Sequence, residues 1–182
     1  MNISSKLSHS YCAYVSLIKD KTDVDKIYHD NHYGVRIEDD NELFGRLVME
    51  INQAGLSWRT ILNKEKGFRK AYHNFDIKKI AKYQEKDIER LLSDASIIRN
   101  KLKVSAVIHN AKEIIKIKKE FGSFRKWLDL NAKEIKHNKF IWLNLFKRHF
   151  KFVGGEIVGE FLMSINMLKG VHDKNCKVVK NR

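Results

Sequence analysis

Apolar residues recur every three to four positions along almost the whole chain. The stretch "DDNELFGRLVMEI" puts Leu43, Phe44, Leu47, Val48 and Ile51 on one helical face, with Asp40 or Asn41 as N-cap. Gly55 ends that pattern, and Ser57 is placed to cap a short helix through "WRTILNK". Asp76 opens "DIKKIAKY", followed by "EKDIERLLSDA", "NKLKVSAVIHNAKEIIKIKKEF", "FGSFRKWLDL", "NKFIWLNLFKRHF" and "GEIVGEFLMSINML". Alternating strand patterns with hairpin turns do not occur, so the reading is an all-α fold of about eight helices. No fixed-period repeat or linker interrupts the chain, and its 182 residues suit one domain, 1–182.

With 43% hydrophobic residues the chain can build a core. Its apolar runs are far too short to span a membrane, and "MNISSKLSHSYCAYVSLIKD" has no signal-peptide h-region, so a cytoplasmic protein is expected. The net charge of +14 suits a polyanionic partner such as nucleic acid. The two cysteines, Cys12 and Cys176, lie at opposite ends, where metal ligation or two inert thiols are both open.

Four places carry chemistry. "KIYHDNHYGV" packs two histidines, two tyrosines, an aspartate and an asparagine into residues 26–35, either as an aromatic polar loop or as part of a site. Glu50 falls at the margin of the apolar stripe, where a carboxylate must be paired, hydrated or functional. Arg46 and Arg59 are its candidate ion-pair partners, while Gln53, Leu56 and Trp58 nearby suggest a flat pocket with polar edges. Residues 91–111 read as two helices joined by "ASII", with Arg99, Lys101 and Lys103 opening the second. That arrangement suits a phosphate at a helix N-terminus, or is an ordinary hairpin with a solvated basic face. His172 and Cys176, one helical turn apart, could join Cys12 and His29 in a tetrahedral Cys₂His₂ site.

"YHDNHYGV", "LVMEINQAGLSWRTIL" and "DASIIRNKLKVSAVIHNA" together resemble the bacterial 3-methyladenine DNA glycosylase I family, a branch of the helix–hairpin–helix glycosylases. The resemblance runs from about residue 12 to 117 and resumes at "FKFVG" and the C-terminal His/Cys pair. It implies a helix–hairpin–helix over about 85–117, and termini (12–29 and 172–176) joined by one structural zinc ion on Cys12, His29, His172 and Cys176. It also implies that Glu50 and Tyr28 hydrogen-bond an extruded base, that Trp58 stacks on it, and that Tyr33 and Tyr14 replace pocket tryptophans. Gln53, Leu56, Ser96, Arg99, Lys101 and Lys103 would contact DNA, with Leu56 filling the vacated stack. The implied activity is a monofunctional glycosylase, acting as a monomer on double-stranded DNA that contains alkylated adenine. Two other readings stand beside it: a damage-binding protein without turnover, and a zinc-stapled nucleic-acid-binding module.

The chain departs from the family pattern at several points. His32 replaces an acid, Asn52 a glutamine and Ser96 the hairpin glycine. The segment after "FKFVG" carries Glu156 and Glu160 in new positions, and Gly170 and Val171 precede His172 in place of Asn-Asp. Most of these changes fall where the far wall of the pocket and the support for the metal are expected.

Overall fold

A computed structural model describes residues 10–180, so the N-terminal reading of residues 1–9 lies outside the described residues. The fold is all-helical: α1 (Tyr11–Ser16), α2 (Val24–Asn31), α3 (Asp40–Gln53), α4 (Trp58–Asn63), α5 (Glu65–Ala71), α6 (Ile77–Ile80), α7 (Glu85–Ser93), α8 (Lys101–Phe121), α9 (Phe124–Ile135), α10 (Lys139–His149), α11 (Gly155–Ser164) and α12 (Lys177–Lys180). Among the described residues no strand forms and no helix is long and apolar enough to cross a membrane. Among the described residues twelve α-helices stand where about eight were expected. The extra ones are short, and four to eight residues show too little of a 3.6-residue period to be read as helix.

The two central helices are α3 and α8. Leu43, Phe44, Leu47, Val48 and Ile51 of α3 are all fully buried, and α3 packs against α4, α8, α9 and α11. α8 is packed by α6, α7 and α9 and buries Val104, Val107, Ala111 and Ile114. A second part of the same core is aromatic: Phe124, Trp127, Phe146, Phe150 and Phe161 meet at ring separations of 5.2–6.4 Å.

Asp39, not Asp40 or Asn41, caps α3, accepting from the backbone N–H groups of Asn41 and Glu42 at 2.9 Å. The neighbouring side chains are committed to tertiary contacts. Asp40 accepts from Arg125 N at 3.0 Å and pairs with Lys118 at 2.6 Å, and Asn41 accepts from Ile77 N at 3.1 Å. Ser57 caps α4 through Thr60 N, and Asp76 caps α6 through Lys79 N.

α7, a turn over residues 94–100 and α8 form a helical hairpin. The turn is seated on α5. Lys64 donates to Ala95 O at 2.8 Å, and the Ser96 carbonyl lies so close to Gly67 that a Cβ there would stand 2.5 Å from it. Only glycine fits at 67 without displacing the hairpin.

A pocket of aromatic rings and carboxyl groups beside a metal-ligand cluster

Tyr11, Tyr28, Tyr33, Glu50, Gln53, Trp58 and Glu160 enclose a cavity of about 170 Å³. That is below the roughly 300–1,000 Å³ of pockets for drug-sized ligands, and suits one flat heterocycle. α2 delivers Tyr28, α3 delivers Glu50 and Gln53, α4 begins at Trp58, and α11 contributes Glu160. Arg59 binds α4 to the start of α2, donating to Asp23 at 2.9 Å and to buried Asp25 at 2.8 Å. The Tyr28 and Trp58 rings, 5.0 Å apart and inclined at 60°, are held together in this way.

Glu50 is 4% exposed, and the two ion pairs considered for it do not form. Arg46 donates to the Tyr28 hydroxyl at 2.9 Å, and Arg59 is spent on Asp23 and Asp25. Burial pushes the Glu50 carboxyl up to about 8; Arg46 opposes the rise and the charge of Glu160 adds to it. Burial also raises the Tyr28 phenol, so it stays protonated. Its oxygen accepts from Arg46, leaving the O–H free to donate, with no acceptor among the described residues. Tyr33 donates to Glu160 Oε2 at 3.4 Å. The Trp58 indole N–H is buried without an acceptor, so ring packing alone holds that side chain.

Tyr14 does not reach the cavity. It is 47% exposed, stacks outside Tyr11 at 6.3 Å and accepts from Arg59 at 3.0 Å. Tyr11 takes the wall position instead: the two rings stack side by side on one face of α1, and Tyr11 is the inner one, its hydroxyl donating to Asp25. Nothing in the sequence marked Tyr11. Glu160 was marked only by its unusual position.

Of the residues read as DNA contacts, Gln53 lines the cavity and Leu56 stands 41% exposed at the tip of the α3–α4 turn. Ser96, Arg99 and Lys101 are exposed around the hairpin and the start of α8, whose first turn contains no acid. Lys103 is a correction. It is 5% exposed, and its ammonium donates to the carbonyls of Asn52 and Ala54 at 2.9 and 2.8 Å. The carbonyls at the C-terminus of α3 capture this lysine and turn its ammonium inward, away from the exposed surface that Arg99 and Lys101 share.

Cys12, His29, His172 and Cys176 converge, with their ligating atoms all within 4.8 Å of one another. The S···N separations are 3.3 Å (Cys12–His29), 3.5 Å (Cys12–His172), and 3.7 Å from Cys176 to each histidine. A tetrahedral ion with bonds of about 2.3 Å to sulfur and about 2.0–2.1 Å to nitrogen places S and N about 3.5 Å apart. The donor set therefore fits a metal ion. Each histidine is oriented through its other nitrogen: His29 Nδ1 meets Asp30 at 2.8 Å, and His172 Nε2 meets the Tyr33 carbonyl at 3.2 Å. Gly34, with φ of +69°, lets the C-terminal segment close over this point, where a Cβ would stand 2.3 Å from Val171.

The methyladenine glycosylase family model matches residues 18–179. The chain belongs to that family. Among methyladenine glycosylases, DNA-3-methyladenine glycosylase 1 of Escherichia coli K12 is 34% identical over 157 residues, 78% of this chain and 84% of that protein. The DNA-3-methyladenine glycosylase of Haemophilus influenzae is 33% identical over 168 residues, 82% of this chain and 90% of that protein. A crystal structure of a tyrosine-to-phenylalanine variant of 3-methyladenine DNA glycosylase I, in complex with 3-methyladenine, superposes with a TM-score of 0.77 at 29% identity, covering 88% of this chain and 94% of the other. The family match extends through the altered C-terminal half, including Glu160 and both C-terminal metal-ligand candidates.

Proposed function

We propose that this methyladenine glycosylase removes 3-methyladenine from alkylated duplex DNA by hydrolysing its N-glycosidic bond. The single observation that carries the reading is the small cavity walled by four aromatic rings with the unpaired carboxyl of Glu50 at its edge. A base inside a duplex must first be turned out, at a cost of a few kcal/mol. Leu56 on its exposed turn fills the gap, while Arg99, Lys101 and the positive end of the α8 dipole hold the backbone.

The lesion carries a positive charge on its ring, and normal adenine does not. Stacking on aromatic side chains is worth about 1–3 kcal/mol per base, and more for a cation over an electron-rich face. Trp58, Tyr28, Tyr33 and Tyr11 supply those faces. With its carboxyl at about 8, Glu50 keeps its proton at neutral pH in the empty pocket. A cationic base favours the ionised form, which accepts from the exocyclic N–H, and neutral adenine gives no such return. Attraction to the substrate's charge alone would slow bond breaking, since the departing base becomes neutral. Glu50 and the stack therefore select the lesion, and the lesion is itself a good leaving group. Cleavage sends the electron pair of the glycosidic bond to the base, and water adds to the sugar. No lysine is among the lining residues, which supports a monofunctional enzyme without a Schiff base.

Zinc is the ion best matched to two thiolates and two imidazoles in a tetrahedron. Four protein ligands leave no position for a catalytic water, so its role is structural.

The test is release of free 3-methyladenine from methylated duplex DNA, read by chromatography, with Glu50→Gln alongside. The native protein should release the base, and the variant should lose at least about tenfold in kcat/KM, or about 1.4 kcal/mol. No release from folded, metal-loaded protein would leave a lesion-binding or scaffold role.

A further inference from the structure

We infer that Glu160 is a specificity-determining residue, the second carboxylate of the base pocket, selecting positively charged purines against neutral ones of the same shape. This rests on the base-excision reading and adds the charge rule by which the pocket chooses.

Glu160 lies on α11, which is fixed by packing against α10 and α3, so its side chain projects into the cavity from a rigid element. It faces the same space as Glu50, Tyr28 and Trp58. Among the described residues its hydrogen-bond donor is the Tyr33 hydroxyl, a neutral group. No lysine, arginine or histidine lies within ion-pair distance of it among the described residues; Lys139 acts on it only from further away. A carboxylate bordered by aromatic rings, with no cation to neutralise it, has its charge available to a ligand. Through such walls the attraction at contact is several times that in water. A neutral purine of equal size collects the stacking and leaves that charge unanswered.

The two carboxyl groups divide the work. Glu50 is enclosed, and the charge of Glu160 helps it keep its proton, so Glu50 serves as a hydrogen-bonding edge. Burial raises the Glu160 carboxyl, the Tyr33 hydrogen bond opposes the rise, the charge of Glu156 adds to it and Lys139 lowers it from further away. Glu160 is the less buried of the two carboxyl groups, and so the one whose charge a cationic purine meets first.

The experiment is calorimetric titration of the intact, metal-loaded protein with two probes. One is 3,9-dimethyladeninium, a permanently cationic purine, and the other is 9-methyladenine, its neutral counterpart. The native protein should prefer the cation, and Glu160→Gln should lose about tenfold in affinity for it while binding 9-methyladenine within about twofold of native. Glu160→Asp, which keeps the charge, should keep the preference. Equal loss of both probes in Glu160→Gln, no loss of either, or a native protein without preference would overturn the assignment, as would loss of preference in Glu160→Asp. Base release by the native protein, measured alongside, separates the two ideas. Absent release defeats the excision reading, whereas release with unaltered charge selectivity in Glu160→Gln defeats the role of Glu160 alone.

Discussion

Glu50 shows what a pocket costs the protein that carries it. The carboxyl is buried, lacks an ion-pair partner and is raised from 4.5 to about 8. Between those two values the folded chain holds a proton that the unfolded chain has lost, so raising the pH favours unfolding. Glu50→Gln removes that penalty. The variant should match native stability near pH 4.5 and exceed it by about 4 kcal/mol at pH 8. Urea denaturation at both pH values checks this, and a stability difference that stays constant with pH would refute it. At the same scale, Glu50 and Trp58 were legible because an acid at the edge of an apolar stripe and an indole past a glycine both break a pattern. The choice between Tyr11 and Tyr14 was not. They lie three residues apart on a helix of six, and only the packing of α1 against α2 decides which ring faces inward.

Lys101 and Lys103 are near neighbours on one helix with opposite fates. Lys101 is exposed beside the hairpin, whereas Lys103 points back to the end of α3 and satisfies two of its carbonyls. Lys103→Met should cost about 1–3 kcal/mol for each carbonyl left unsatisfied, and leave the salt dependence of DNA binding unchanged. Lys101→Met should shift stability by no more than about 0.5 kcal/mol and lower the salt slope by about 1. Chemical denaturation and anisotropy titrations across a salt series separate the two. An equal drop in slope for both variants would return Lys103 to the DNA surface. The sequence marked both lysines as cations opening a helix, which is all that periodicity can say. Long amphipathic helices such as α3, α8 and α9 show their burial pattern plainly, while short helices and the caller of a given N–H depend on neighbours distant in sequence. Asp40 and Asn41 were the caps expected of α3, but tertiary contacts with Arg125, Lys118 and Ile77 commit them elsewhere and leave Asp39 for the task.

Across the whole molecule, the metal cluster and the pocket share their backbone. Tyr11 of the wall precedes the ligand candidate Cys12, Tyr28 precedes His29, and the carbonyl of Tyr33 orients His172. The Cys/His spacing was legible as a possible site, but that its ligands alternate with wall residues became evident only when both ends of the chain met. A metal bound there ties residue 12 to residue 176 and so restricts the unfolded chain as a long cross-link does, for about 5 kcal/mol. At about 2–4 °C per kcal/mol for a chain of this size, verified metal removal should lower Tm by about 10–20 °C. The continuous core remains, so near-UV circular dichroism from buried Trp127 and Trp142 should persist. Trypsin should then cut sooner at Lys19, Lys21 and Lys174, which flank the ligands. Because three walls hang from the same segments, affinity for a cationic purine should fall in the stripped protein and return when zinc is restored. Loss of Tm with base affinity intact would separate the staple from the pocket; an unchanged Tm would remove the staple itself.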